Sequence, residues 1–290
     1  MLTALSIGFD ALAYGMVLFI ISIGLSVTMG LMRVVNLAHG AFAMVGGYLA
    51  SYAALSLGLG YGAAIVVAVV GTVILAIPLE ILLYRRIYGS HDPLIQVLMT
   101  IGVTFSIIGI ANYAFGPTLK TIPLPAAISG PLDIGFRTIP GHRLVVIACG
   151  LLVALALWFL IERTDFGIRL RAAVDNPSMA SALGIRTETI YAATFALSVG
   201  LGALGGVIGA EMLPIEPYYA LRYMVTFLVV VSVGGAGSIG GALLAALLLG
   251  LVDTTAKYLM PEFGEFFFYA AVIAVVWAFP NGLLGRAQAA

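Results

Sequence analysis

Residues Tyr61 to Leu83 read YGAAIVVAVVGTVILAIPLEILL, a run whose single charge is Glu80. At about 1.5 Å of rise per residue, roughly twenty such residues cross the hydrocarbon core of a bilayer as a helix. Blocks of the same kind lie on both sides: Gly8 to Met32, Asn36 to Leu57, Leu94 to Phe115, Leu144 to Ile161, Thr189 to Leu213, Tyr223 to Val252 and Phe266 to Pro280. Eight blocks in one chain define an all-α polytopic membrane protein, read as a single transmembrane domain over residues 1–290.

Composition agrees with that solvent. Hydrophobic residues make up 62% of the chain and charged residues 9%, with a mean hydropathy of +1.14. A soluble fold of this length needs charged helix faces that these blocks lack. Net charge is zero, so there is no electrostatic case for nucleic acid. The one cysteine, Cys149, excludes an internal disulfide and a cysteine-based metal site. Met1 to Ser6 carries no basic residue ahead of the first block, so that block is expected to be a retained helix and not a cleaved signal.

Charge is concentrated in one place. Glu162 to Glu188, ERTDFGIRLRAAVDNPSMASALGIRTE, holds eight of the twenty-six formal charges. Placing this loop inside puts Arg33, Arg85, Arg86, Arg163, Arg169, Arg171 and Arg186 in the cytosol, against Lys120, Arg137, Arg143 and Arg222 outside. Residues 162–188 are thus read as a cytosolic loop. Residues 116–142, with Pro117, Pro123, Pro125, Pro131 and Pro140, are read as an external loop. Within the cytosolic loop, Arg171-Ala172-x-x-x-Asn176-Pro177 followed by Ala180-x-x-x-Gly184 reads as a short helix with small residues on its surface, a shape suited to being gripped.

Two spans are interrupted. Near the N-terminus, Arg33, Asn36 and His39 stand between apolar blocks with almost no polar linker, and Tyr223 to Val252 is broken at Gly234-Gly-Ala-Gly-Ser-Ile-Gly-Gly241. Irregular backbone at membrane depth is tolerated only where protein or a water-filled cavity surrounds it. Paired interruptions point to broken or re-entrant helices, to a possible inverted repeat and to a transport path. Asn36, His39, Gly235 and Ser238 are the candidate path residues. The second break leaves the side of the C-terminus, with Arg286, open.

Other functions find no support. The glycine run is followed by no Lys-Ser or Lys-Thr, so it is not a nucleotide-binding loop. His39 has no second ligand at metal spacing, and helix packing beside Asn36 is the plainer role for it. There is no Gly-x-Ser-x-Gly elbow, no His-Glu-x-x-His and no pair of catalytic carboxylates in one span. Glu80, with Arg85 and Arg86 just beyond it, reads as an interfacial ion pair or a snorkelling group, and Asp253, four residues before Lys257, as an ion pair on one helical face. A buried acid relay of the kind that drives a proton-coupled carrier is missing, so energy is expected from elsewhere.

Four segments together carry a family resemblance: Val35-Asn-Leu-Ala-His-Gly-Ala-Phe42 with Gly46-Gly47-Tyr48; Gly167-x-x-x-Arg171-Ala172-x-x-x-Asn176-Pro177-x-x-Ala180-x-x-x-Gly184-Ile185; Gly234-Gly235-x-Gly237-Ser238-x-x-Gly241-Ala242; and Pro280-Asn-Gly-Leu-Leu-Gly-Arg286. In this order they resemble the H-type permease subunit of bacterial branched-chain amino acid ABC importers. The resemblance implies an ABC importer permease fold in the bacterial inner membrane. It also implies a second related permease, two cytosolic ATPase subunits carrying ATP and Mg, and an external solute-binding protein. This chain itself would then hold no cofactor and catalyse no reaction. The docking residues it implies are Arg169, Arg171, Asp175, Asn176, Pro177, Ala180, Leu183 and Gly184, with Ala180 and Gly184 as a smooth contact face and Arg169 and Arg171 facing acidic partners. The solute is expected to be a branched-chain amino acid or a related small polar or amphipathic molecule. A self-sufficient secondary carrier or channel is the alternative; it would use the same broken helices but has no need of a docking helix.

Overall fold

The computed structural model describes residues 2–32, 34–87, 92–133 and 138–284. In chain order the elements are α1 (Leu2–Leu31), α2 (His39–Leu55), α3 (Tyr61–Leu79), a π-helix (Glu80–Tyr84), α4 (Arg85–Ile87), α5 (Pro93–Phe115), α6 (Ala126–Ser129), a short hairpin of β1 (Pro131–Asp133) and β2 (Thr138–Pro140), α7 (His142–Arg163), α8 (Asp165–Asp175), α9 (Pro177–Ala182), α10 (Thr187–Ile208), α11 (Tyr219–Gly234), α12 (Ile239–Leu259) and α13 (Gly264–Ala278). Among the described residues seven spans are long and apolar enough to cross a membrane, with the π-helix completing that of α3. The helices α2 and α11, of 17 and 16 residues, are shorter and pack among them.

The block Tyr223 to Val252, read from sequence as one broken span, is two helices. Gly235 and Gly237 take φ of 91° and 82°, a conformation that suits glycine, and turn the chain back between α11 and α12. That extra reversal settles the parity left open above. Gly30 abuts Gly237 at the end of α1, and the tail donates from Leu283 N to Val233 O (2.7 Å) and from Leu284 N to Gly234 O (3.3 Å). The last described residues therefore lie beside the α11–α12 turn, at the end of α1 where α8 also packs. Arg33, Arg137 and Arg286 fall outside the described residues.

The helix α1 is the centre of the bundle. Buried residues make up 83% of its best membrane window, against 22% for α3 and 17% for the span of α13. Small residues let its neighbours approach: a Cβ on Gly15 would stand 2.9 Å from Ala246 O, and one on Gly250 would stand 2.7 Å from Gly15 Cα. The α2–α10 crossing is closer still, with Gly206 against Ala43 O and Gly46 against Ala203. Without a hydrophobic drive between helices in lipid, such close approach and interhelical hydrogen bonds hold the bundle together. The ion pairs expected from spacing form: Glu80 with Arg85 at 3.2 Å and Asp253 with Lys257 at 2.7 Å. Asp10 also pairs with Arg143, tying α1 to α7.

Candidate functional site

Three regions carry the residues singled out by sequence, the α8–α9 segment, the chain between α1 and α2, and the α11–α12 turn, and all lie toward the same end of α1. The first is the α8–α9 segment. Gly167 lets α8 fold back on the end of α7, since a Cβ there would come within 1.9 Å of Ile161 O. Arg171 Nη1 donates to the same carbonyl at 2.8 Å and lies 3.8 Å from Glu162. Its guanidinium thus serves the helix end, whereas Arg169 is exposed. On the inner face of α8 Leu170 and Ala173 are buried, and Tyr191 of α10 donates its hydroxyl to Ala173 O at 2.7 Å.

The six-residue helix α9 is closed at both ends. Asn176 is its N-cap, its Oδ1 accepting from Met179 N at 2.9 Å, and Pro177 occupies the first turn, where a missing N–H costs nothing. At the far end Ile185 N reaches back to Ala180 O and Gly184 N to Ser181 O, with Gly184 at φ 84°. That is the glycine-terminated pattern of a helix stop. The contact face expected from sequence is therefore placed differently. Ala180 is buried against the protein, and Gly184 ends the helix instead of lying on its face. The exposed apolar pair is Met179 and Leu183, at 58% and 76% exposure and four residues apart. Asp175, Asn176 and Pro177 are exposed beside them, and a concavity of about 390 Å³ follows, lined by Ser181, Gly184 and Glu188 among others.

The second region is the chain between α1 and α2. Val34 to Leu37 is non-helical yet largely buried, and α2 begins at the depth of Ile21, well up α1. Its backbone donors are met by side chains of α5: Val35 N by Gln96 Oε1 at 2.9 Å and Leu37 N by Thr100 Oγ1 at 3.3 Å. Asn36 Oδ1 accepts from Ala38 N at 3.1 Å and from the Tyr84 hydroxyl at 2.8 Å. Because a backbone N–H can only donate, the amide orientation of Asn36 is fixed by these bonds. Its Nδ2 is buried and has no partner among the described residues. His39 Nε2 lies 2.7 Å from Ile21 O, so Nε2 carries the proton, and Ser198 of α10 donates to Gly24 O at 2.8 Å beside the ring. Gly24 and Gly202 are the glycines that make room for it.

Among the four path residues, His39 is thus enclosed between α1, α2 and α10. Gly235 and Ser238 form the α11–α12 turn, Ser238 capping α12 through Gly241 N at 3.0 Å. The two interruptions meet α1 near each other, His39 at Ile21 and Gly237 N at Ser26 Oγ (3.1 Å), but on different neighbours. Gln96, Thr100, Tyr84 and Glu188 were missed from sequence. A lone glutamine in an apolar span was the available signal for the first.

A multi-pass bundle whose irregular segment is held by side chains inside the membrane, with a capped helix presented at one end, is the architecture of a permease. The chain belongs to the family described as the permease component of branched-chain amino acid transport systems, which it matches over residues 7–276. It is similar to the high-affinity branched-chain amino acid transport system permease protein LivH of Escherichia coli, 28% identical over 97% of this chain and 95% of the relative. It is 26% identical to BraD of Pseudomonas aeruginosa over 96% of this chain and 95% of that one. Over 55% of this chain and 47% of the relative it is 29% identical to LsrC of Salmonella paratyphi B, an autoinducer 2 import system permease protein. No solved structure matches.

Proposed function

We propose that this chain is the membrane subunit of an ATP-driven importer for branched-chain amino acids or closely related small polar or amphipathic solutes. It works in the bacterial inner membrane with a second permease, two cytosolic ATPase subunits that hold ATP and Mg, and an external solute-binding protein. The observation that carries this reading is α9: a helix capped at both ends, with Met179 and Leu183 bare on its outer face in the most charged loop of the chain. Lipid does not account for two large apolar side chains in the most charged loop of the chain, whereas an apolar cleft on an ATPase does.

Closure of the ATPases on ATP would move α9, and α8 with Arg171 and Gly167 against α7 would pass that movement to the spans as a rigid body. Such coupling requires that the ATPase grip two conformations of the permease unequally, since equal contacts shift no equilibrium. For the path, Asn36 is the strongest of the four residues, because its Nδ2 retains a free donor for an oxygen of the solute, while His39, Gly235 and Ser238 are engaged in packing and capping.

The test is co-purification of the chain with its ATPase subunits, unsubstituted and as Leu183→Glu. Full burial of a leucine contributes about 1.5–3 kcal/mol, and most of that side chain is exposed before docking. The expected result is an affinity loss of at least tenfold with unchanged thermal stability of the chain itself. Wild-type affinity in the variant would sink the docking assignment.

A further inference from the structure

Two sets of polar contacts, one toward the docking segment and one on the buried Val34–Ala38 segment, meet at the π-helix. Glu188, in the first turn of α10 just past the docking segment, lies 3.5 Å from Arg85 Nη1. Arg85 Nε is 3.2 Å from Glu80, the first residue of the π-helix, and Tyr84, the last, donates to Asn36. The ring of Tyr84 also packs on Phe195, centroids 4.5 Å apart, two turns along α10 from Glu188. One helix, α10, therefore meets the C-terminal end of the π-helix at Tyr84 and the following residue, Arg85.

The register of this element matters to both contacts. Glu80 and Arg85 are five residues apart, which the wider π turn brings onto one face. An α-helix sets residues five apart about 140° from each other, because each residue turns the chain about 100°. Conversion of Glu80–Tyr84 to α geometry thus separates the ion pair and carries Tyr84 off Asn36. Pro78, inside α3 two residues before Glu80, supplies no N–H, which removes one bond of the α ladder leading into the irregular turn. A groove of about 290 Å³ borders the element at Glu80, Ile81, Arg85 and Phe195, so a change of register has room.

We propose that Glu80–Tyr84 is a register switch that sets the position of the Val34–Ala38 segment according to the position of the docking end. Tyr84 is its positioning residue. With Glu188 and Arg85 in contact the π form holds Tyr84 on Asn36, and the buried segment is fixed. When α10 moves with the docked ATPase, the pair parts, the register returns to α, and Tyr84 releases Asn36 and the extended backbone around it. This rests on the docking reading above.

The experiment uses the assembled importer in lipid and reads backbone amide exchange at Val35 and Leu37, with and without ATP, beside solute taken up per ATP hydrolysed. In the unsubstituted complex ATP is expected to raise exchange at these two amides at least tenfold. In Tyr84→Phe, which keeps the ring on Phe195 and removes only the hydroxyl, exchange is already raised without ATP and responds less than twofold to it. Uptake per ATP falls at least tenfold, and the ATPases still co-purify. Glu188→Gln, at an exposed carboxylate, gives the same pattern should Tyr84→Phe fail to accumulate. Exchange that ignores ATP in the unsubstituted complex, or a Tyr84→Phe complex that responds as the parent does, overturns the switch and leaves docking intact. An unsubstituted chain that does not co-purify with an ATPase overturns both.

Discussion

Two glycines on the same face-rich helix, Gly200 and Gly206 of α10, separate the effect of close approach from that of helix propensity. A Cβ on Gly206 would stand 2.0 Å from Ala43 O and 2.7 Å from Ala43 C. Ordinary contact between such atoms needs a little over 3 Å, so Gly206→Ala must drive α2 and α10 apart by about 1 Å or more, and overpacking of this kind costs about 1–3 kcal/mol. Because the opposing atoms are backbone, the upper end applies. Replacing helical glycine by alanine contributes about 1 kcal/mol in the other direction, leaving a net loss of roughly 2 kcal/mol. A Cβ on Gly200 meets only Val69 Cγ1 at 3.5 Å and Val73 Cγ2 at 3.6 Å, which is ordinary contact, so Gly200→Ala retains the propensity term and is expected to be neutral or up to about 1 kcal/mol more stable. Reversible unfolding in mixed micelles, followed by helical circular dichroism, should therefore separate the two variants by roughly 2–3 kcal/mol. If they unfold within about 0.5 kcal/mol of each other, the range usual for substitutions at unpacked surface sites, the close α2–α10 crossing is not what glycine serves at Gly206.

Asn176→Ala removes the acceptor that caps α9 and should cost about 1 kcal/mol locally, raising amide exchange at Met179 and Ala180 about fivefold, while Asn176→Asp keeps the cap and the parental rate. Unchanged exchange in the alanine variant would show that the helix is held by other means. Gln96→Leu leaves the Val35 N–H buried without its acceptor and should lower chain stability by about 1–3 kcal/mol, and Gln96→Glu, which keeps an acceptor oxygen, should lower it less. Equal losses in the two variants would refute the role given to that bond.

The spans, their rough limits and the two breaks were legible because apolar length and glycine punctuation are local properties. The N-cap at Asn176 was not read from sequence, which ran one short helix from Arg171 through Gly184. The direction of a side chain was not legible. Ala180 looked like surface because alanine suits any face, yet packing of α9 onto α8 turns it inward and leaves Met179 and Leu183 outside. Tyr84 was hidden by the same limit in another form: its partner Asn36 lies 48 residues away, and the π turn that aims it changes the helical period by which faces are inferred. The split of Tyr223 to Val252 depended on whether its glycines bend the chain slightly or reverse it, and positive φ at Gly235 and Gly237 decides that only in three dimensions.

What the polar groups inside the bundle do narrows where the chain can change shape. Thr72, Thr104 and Thr194 each return their hydroxyl to the carbonyl one turn back, and such bonds move with their own helix. The bonds between elements in the described residues include His39, Ser198 and the Gly237 turn to α1, Tyr191 to α8, Gln96 and Thr100 to the extended segment, and Tyr84 to Asn36. Those at His39 and Ser198 lie in a seam lined by Gly24 and Gly202, where a shift of either helix meets packed atoms at once. Those at Val35, Asn36 and Leu37 hold a non-helical segment against a π turn that itself borders a groove. Under the proposed docking, a motion delivered at α9 would be taken up where the restraints are single side-chain bonds and not where helices interlock. On that reading the Val34–Ala38 segment is the deformable part, and the α1–α2–α10 seam the rigid body against which it moves.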